Sequence, residues 1–330
     1  APSTGEIEFV ASMAKPQREI RYVTVPYASF PDEKAIEWAR ANEKLFRSIG
    51  LSRITITTSQ KDAEKVLEQV KNNQLSFEDA AKSHSKDSFA EKGGDLGIKL
   101  YYELKEEFSN ENDLESLLAL KKGELSAVYK LGDNRWAFFR VNSEASSPDF
   151  SRKDVLEAVR SYMFDREKGV LENWALETAK KMAEAASSST LDAAAKSMGY
   201  AVKAGGPFML NYGNPGFYFY GQQISLFMDP YRSDDPDLTG AAEKESFLTE
   251  LFATPKGAVS KPVVLDGAVV VFTVTRDADA GEQETSYTKF SYPYFYQQAM
   301  ESQIRSTILS SKKFKDEFNT TFAKIFTPKK

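Results

Sequence analysis

Residues 76–141 constrain the fold more than any other part of the chain. They open with a short amphipathic helix signal, SFEDAAKSHS, run into DSFAEKGGDLG, and close with KKGELSAVYKLGDNRWAFFRV. Gly93 and Gly94 predict a tight turn with positive φ, because only glycine enters that region without a Cβ penalty. Asp95 can bond its own backbone across the turn, and Leu96 then starts a run that must dive inward past Gly97. The last part reads as a helix stopped at Gly123, followed by a hairpin of strands 125–131 and 135–141 joined through Gly132-Asp133-Asn134.

Upstream, residues 19–26 (EIRYVTVP) read as a strand, and residues 32–46 as a helix with Pro31-Asp32 as its start signal. Residues 52–57 (SRITIT) alternate as a strand, and residues 61–71 place Ala63, Val66, Leu67 and Val70 on one helical face. Strand, helices and hairpin over 51–141 describe one compact α+β unit. Ser146-Ser147-Pro148 breaks the pattern, and a long helical stretch follows from Ser151, with Gly169 as its expected interruption.

The sequence then repeats itself. TLDAAAKSMG at 190–199 echoes 76–85, and ATPKGAVSKPVVLDGAVVVFTV at 253–274 echoes 119–141, with Lys-Gly, a serine, strand, turn and strand in register. The second copy has no strand directly before its helices and carries about 20 extra residues ahead of its hairpin. Residues 20–25 are therefore expected to cross over and supply the missing strand beside residues 269–274. A terminal helix is expected over 293–326, with Tyr296, Met300, Ile304 and Ile308 near one face.

Over 330 residues, 41% hydrophobic and 12% aromatic content supports ordinary globular cores. A formal charge of -5 argues against a nucleic-acid or anionic-membrane surface, since both need concentrated basic charge. The absence of cysteine excludes disulfides, thiolate nucleophiles and Cys-ligated metals, and it suits an oxidising compartment. No apolar run reaches the ~20 residues a spanning helix needs, and Ala1-Pro2-Ser3 lacks the basic and apolar regions of a signal peptide. The chain is thus expected to be a mature protein, or the soluble part of something anchored beyond its ends.

SFEDAAKSHSKD, GGDLG at 93–97, Phe108, KKGELS at 121–126 and the closing hairpin together resemble a parvulin-type peptidyl-prolyl isomerase domain. The layout of the whole chain is similar to the bacterial periplasmic foldase chaperones of the SurA, PrsA and PpiD class. That resemblance implies a proline or peptide pocket at Leu96, Leu104, Lys105 and Phe108, with Lys105 where a glutamine is common. It also implies a polar centre, and here the chain departs from the family. The first-strand histidine falls on Arg53 and the last-strand histidine on Ala137, while Asp87 stands where the family carries a cysteine or aspartate. Asp87 is a remnant of the catalytic set, and a pairing with Arg53 would make it structural.

Other motifs receive plainer readings. His84, the only histidine, has neither a Ser-Asp pattern nor co-ligands beside it and is assigned a structural role. DADAG at 277–281 begins like a calcium loop, but Thr288 occupies the twelfth position, so a solvated turn is expected. The run Asp234-Asp235-Pro236-Asp237 is read as solvated too. The aromatic-rich residues 208–231 pack on their own domain or expose a client surface, for which Phe217, Phe219, Tyr220 and Phe227 are the candidates.

The expected organisation is an α+β chain with an N-terminal strand and helix (1–50), a parvulin-like domain (51–145), and a helical connector (146–186). A second, incomplete parvulin-like domain (187–281) and a terminal helix (282–330) complete it. The expected function is a periplasmic or cell-envelope holdase or foldase that grips unfolded envelope polypeptides in apolar clefts, with weak or absent isomerase activity. No metal, cofactor, nucleotide or nucleic acid is expected, and a membrane anchor outside the chain fits the class. The alternatives are an active prolyl isomerase using Asp87 with Tyr101 or Tyr102, and an assembly factor dedicated to one envelope partner.

Overall fold

The computed structural model describes the chain except residues 14–15, 133, 211–216, 220–221, 225–232, 280, 312–313, 316, 319–320 and 323–330, and the side chains of 217–219, 222–224 and 284. Along the chain, helix α1 (Thr4–Met13) and strand β1 (Pro16–Pro26) precede α2 (Asp32–Ala41), β2 (Ser48–Ile56), α3 (Gln60–Lys71), α4 (Phe77–His84), β3 (Asp95–Leu100), α5 (Tyr101–Glu107), α6 (Glu111–Leu118), β4 (Tyr129–Lys130) and β5 (Trp136–Ser146). Then come α7 (Lys153–Arg166), α8 (Lys168–Ser187), α9 (Leu191–Ser197), β6 (Lys203–Met209), β7 (Phe217–Phe219), β8 (Gln222–Ile224), α10 (Glu245–Ala253), β9 (Val263–Val264), β10 (Ala268–Asp279) and α11 (Glu282–Ser310). These elements form two compact units, Pro31–Lys168 and Ala1–Phe30 with Gly169–Lys330. The expected segments 1–50 and 146–186 are therefore each divided between the units.

Pro31–Lys168 is built on an antiparallel sheet of order β3-β2-β5-β4. Both faces of β2 are covered, so the strand is buried almost throughout. Ile49 and Leu51 face Leu104, Leu114, Leu117 and Phe139, while Ile54 and Ile56 face Ala63, Leu67, Phe77 and Phe138. Helices α3 and α4 start where Ser59 and Ser76 accept hydrogen bonds from the amides of Asp62 and Asp79, each 3.1 Å long. Caps of this kind contribute about 1 kcal/mol each.

The second unit has the same sheet order, β6-β1-β10-β9. Its missing strand comes from the amino terminus, with Ile20 opposite Val274 and Val25 opposite Val269. The repeat extends to individual hydrogen bonds. Ser126 donates its amide to Phe139 O (2.9 Å) and accepts the Phe139 amide on Oγ (2.9 Å); Ser260 does the same with Phe272 (2.8 and 2.9 Å). Gly123 donates to Val141 O (2.8 Å) and Gly257 to Val274 O (2.9 Å). The core beneath this sheet gathers Ile20, Tyr22, Phe208, Phe247, Leu251 and Phe272.

Five expectations are corrected. Only Tyr129–Lys130 forms the first hairpin strand, because the Ser126 side chain takes a ladder position from the backbone. The long helix breaks at Glu167 (φ −122°), whereas Gly169 sits in the first turn of α8, where amides lack intrahelical partners anyway. The last helix begins at Glu282 and contains Pro293 in its interior, since α1 packs along its first half: Tyr292 lies against Val10 and donates to Glu6 (2.6 Å), and Lys289 pairs with Glu8 (2.7 Å). This packing outweighs the hydrogen bond that proline removes. The helix ends at Ser310, and residues 323–326 lie outside the described residues.

The fourth correction concerns the acidic run. Asp235 is buried and accepts hydrogen bonds from Tyr22 Oη (3.0 Å) and Lys203 Nζ (2.7 Å), and Asp237 accepts from Thr24 Oγ1 (3.1 Å). These carboxylates brace β1, because a buried tyrosine hydroxyl needs a partner. Asp277 of DADAG likewise lies in β10, paired with Arg18 at 3.1 Å. No helix among the described residues is long and apolar enough to cross a membrane.

A chain lacking residues 1–26 is expected to lose the cooperative unfolding of the second unit while that of Pro31–Lys168 persists. Differential scanning calorimetry of the truncated chain checks this, and an unchanged profile would contradict the role given to β1.

Candidate functional site

The polar centre lies on the Phe139 face of the sheet. Arg53 stands opposite Phe139 and Thr55 opposite Ala137, so Arg53 and Ala137 are diagonal neighbours on one face. Gly94 fixes the strand behind them: its φ is +82°, its carbonyl accepts the Arg53 amide (2.8 Å), and a Cβ there would collide with the Arg53 carbonyl. The Arg53 side chain is only 9% exposed. Its Nε donates to Asp87 Oδ2 (3.1 Å) and its Nη1 to Glu107 Oε2 (2.5 Å). Thr55 Oγ1 donates to the same Asp87 oxygen (2.7 Å), and the Phe89 amide donates to Asp87 Oδ1 (3.0 Å).

This arrangement is an anchor made of one guanidinium and two carboxylates. Arginine has no acceptor and keeps its proton at any ordinary pH, so it cannot exchange protons as an imidazole does. Ala137 is fully buried and offers only a methyl group. Residue reading from the sequence paired Arg53 with Asp87 but missed Thr55 and Glu107. Thr55 was legible as the next same-face position on β2, whereas Glu107 reaches Arg53 only through the fold of α5.

Leu96, Leu104 and Ala137 come together in one core cluster, with Phe108 packed against it. Phe108 stacks on Phe139 (5.8 Å, 21°) and tilts against Tyr129 (5.6 Å). Lys105 points away to the exposed side and stands 3.9 Å from Glu111. Helix α5 is held by a second polar cluster: buried Tyr101 donates to Glu111 (2.7 Å) and Glu115 (3.1 Å), which also bind Lys44 (3.1 and 2.7 Å). Burial, with those carboxylates, pushes the Tyr101 hydroxyl up to about 12, so it stays protonated and donates. Phe217 and Phe219 lie in β7, paired with β8, whereas Tyr220 and Phe227 lie outside the described residues. His84 is half-buried at the end of α4.

The second unit carries an equivalent centre with different chemistry. Tyr22 stands opposite Phe272 and Thr24 opposite Val270, the places taken by Arg53 and Thr55 in the other sheet. Both again bond aspartates, Asp235 and Asp237.

Residues 50–135 match a family model described as the PPIC-type PPIASE (rotamase) domain. The chain contains a parvulin-type domain. Residues 205–279 match a second model, described as a third domain. Among curated proteins, an uncharacterized protein of Treponema pallidum (strain Nichols) is 28% identical over 264 residues, covering 75% of this chain and 99% of that one. An uncharacterized protein of Borreliella burgdorferi is 26% identical over 168 residues, covering 51% of this chain and 33% of its own. Among solved structures, PrsA from Bacillus subtilis is 25% identical, with 50% of this chain and 56% of that one covered and a TM-score of 0.28. The foldase protein PrsA from Streptococcus pneumoniae is 16% identical, with coverages of 51% and 56% and a TM-score of 0.34. The chain thus spans little more than half the length of these PrsA structures, and the match to the PPIC-type domain is confined to residues 50–135.

In the parvulin-type domain, Asp87→Ala leaves Arg53 with a single carboxylate and is expected to cost about 3–5 kcal/mol, the usual penalty for breaking a buried pair. Urea denaturation measures it, and a cost within error of zero would remove the anchor role. Tyr101 ionises at higher pH in the folded chain than in the unfolded one, so its stabilising contribution is complete below about 10 and is lost as pH rises towards about 12. Tyr101→Phe is expected to flatten the fall in stability over that alkaline window, as measured by urea midpoints at several pH values.

Proposed function

We propose that this chain is a folding factor of the cell envelope that holds unfolded polypeptides, with its parvulin-type domain used as a scaffold and binding surface rather than as an isomerase. The observation that carries this reading is Arg53, locked between Asp87 and Glu107 where the family's polar centre falls. Prolyl isomerisation must lower a rotation barrier of about 18–20 kcal/mol, and it needs donors free to follow the twisting amide. A guanidinium already committed to two carboxylates, facing a methyl group, supplies none without breaking its own anchor.

The parvulin-type fold and the resemblance to foldase chaperones support unfolded envelope polypeptides as clients. The cysteine-free composition suits an oxidising periplasm. Leu96, Leu104, Phe108 and the candidate aromatics Phe217, Phe219, Tyr220 and Phe227 would supply apolar contact, with Lys105 at the rim. An anchor outside the chain would hold the protein at a membrane.

Two assays test the reading. The chain is expected to suppress aggregation of several unrelated unfolded proteins near equimolar ratio, and to isomerise a proline tetrapeptide no faster than the uncatalysed rate. Turnover that disappears in Asp87→Ala while the variant stays folded would establish an isomerase instead; protection of a single protein only would point to a dedicated assembly factor.

A further inference from the structure

Strand β3 is the end strand of the order β3-β2-β5-β4, so among the described residues one of its edges has no strand beside it. Edge strands are usually blunted, and β3 is short and carries Asp95 and Lys99. Between those charges sits Ile98, 62% exposed. Ile98 and Leu100, two residues apart and therefore on one face, line a cavity of about 520 Å³ together with Phe46, Tyr102, Val155 and Ala158. A volume of this size lies in the range of peptide and ligand pockets.

The charge lining the cavity is net negative, with Lys99 and Lys121 standing 3.5 and 3.3 Å from Glu103 and Glu144. Glu103, Glu144, Asp149 and Asp154 line it against a single cation, Arg152, which is already paired with Asp154 at 2.6 Å. Tyr102 also walls an adjoining cavity of about 300 Å³ with Glu103, Glu106, Glu107, Tyr162, Asp165 and Arg166; its lining is net negative, with Arg166 paired to Glu106 and Glu107 paired to Arg53. The two tyrosine rings stand 4.9 Å apart. The Tyr102 hydroxyl has no hydrogen-bond partner and Asp165 no cationic partner among the described residues. Burial first, and then Glu103, Asp165 and Glu106, raise the Tyr102 hydroxyl above its ordinary value, which keeps it neutral and able to donate.

We propose that this groove binds a short extended polypeptide segment laid along β3 as an added strand, with apolar side chains in the larger cavity and a lysine or arginine in the acidic one. The proposal rests on the client-binding reading above and names the segment preferred. An open strand edge recognises extended backbone, and alternate side chains then fall into pockets on one face. Carboxylates select a basic residue, and aromatic faces add cation–π attraction. A second copy of this chain fits less well, because its own charge is -5.

Fluorescence anisotropy with the full chain tests this, using a labelled octapeptide that alternates valine and lysine, its glutamate counterpart, and the lysine peptide N-methylated at alternate amides. The lysine peptide is expected to bind, more weakly in high salt, with at least about a tenfold loss for the glutamate peptide, the methylated peptide and Ile98→Asp. Ile98 is exposed, so the variant should keep the wild-type urea midpoint. Equal affinity for all three peptides, or no effect of Ile98→Asp, overturns the proposal. So does a dimer in sedimentation that Ile98→Asp dissolves, since the edge would then pair with another copy. If the wild-type chain suppresses aggregation and Ile98→Asp does so equally well, with unchanged peptide affinity, this site is wrong and the client-binding reading stands. If the wild-type chain does not suppress aggregation at all, that broader reading fails, whatever the peptides do.

Discussion

Strand β1 is paired on both sides, with β6 along one edge and β10 along the other, and the second unit is organised around that position. A sheet of this order needs a central strand between its end strand and its closing strand, and in Pro31–Lys168 that strand, β2, precedes the helices it packs on. In the other unit the segment before the helices is itself helix, α8, and among the described residues it is β1 that completes the sheet. Tyr22 and Ile20 then bring the side chains that Phe247, Leu251 and Phe272 pack against. Asp235 and Asp237, arriving from beyond the aromatic-rich insertion, close the arrangement by bonding Tyr22 and Thr24.

Comparing the two sheets separates what the fold requires from what chemistry would require. In both, a serine replaces a ladder bond opposite a phenylalanine of the closing strand, and in both a threonine on the central strand bonds an aspartate. The residue two places before that threonine is arginine in one sheet and tyrosine in the other. Each reaches a carboxylate, yet they share neither charge nor shape. A position that accepts such different side chains while keeping its partner type serves first to satisfy a buried polar spot, because an unpaired group there would cost several kcal/mol.

Much of the fold was legible because its signals were local. Gly93 and Gly94 take the positive φ assigned to them, and the Lys-Gly…Ser repeat marks equivalent corners. The crossover of β1 was legible by subtraction, since one copy lacked a strand. Other features were hidden because they depend on long-range packing. Nothing near Pro293 announces that α1 will cover the preceding turns of α11, and nothing near Asp235 announces that Tyr22 will reach it. The site divided in the same way: Arg53, Asp87 and Ala137 were readable by position, whereas Glu107 joins them only through the path of α5.

The pairing of β1 with β10 has a consequence for how the chain acquires its structure during synthesis. β1 leaves the ribosome early, but its partner β10 emerges only after the whole of Pro31–Lys168 has been made. The intervening unit contains its own sheet and cores and can fold in the meantime, which shortens the effective loop that β1 must close. Loop-closure entropy grows only logarithmically with length, so the delay costs more in time than in equilibrium stability. Until β6 arrives, β1 is a nascent strand with both edges open, and one edge stays open until β10 follows, so a protein proposed to shelter unfinished chains passes through the same exposed state itself.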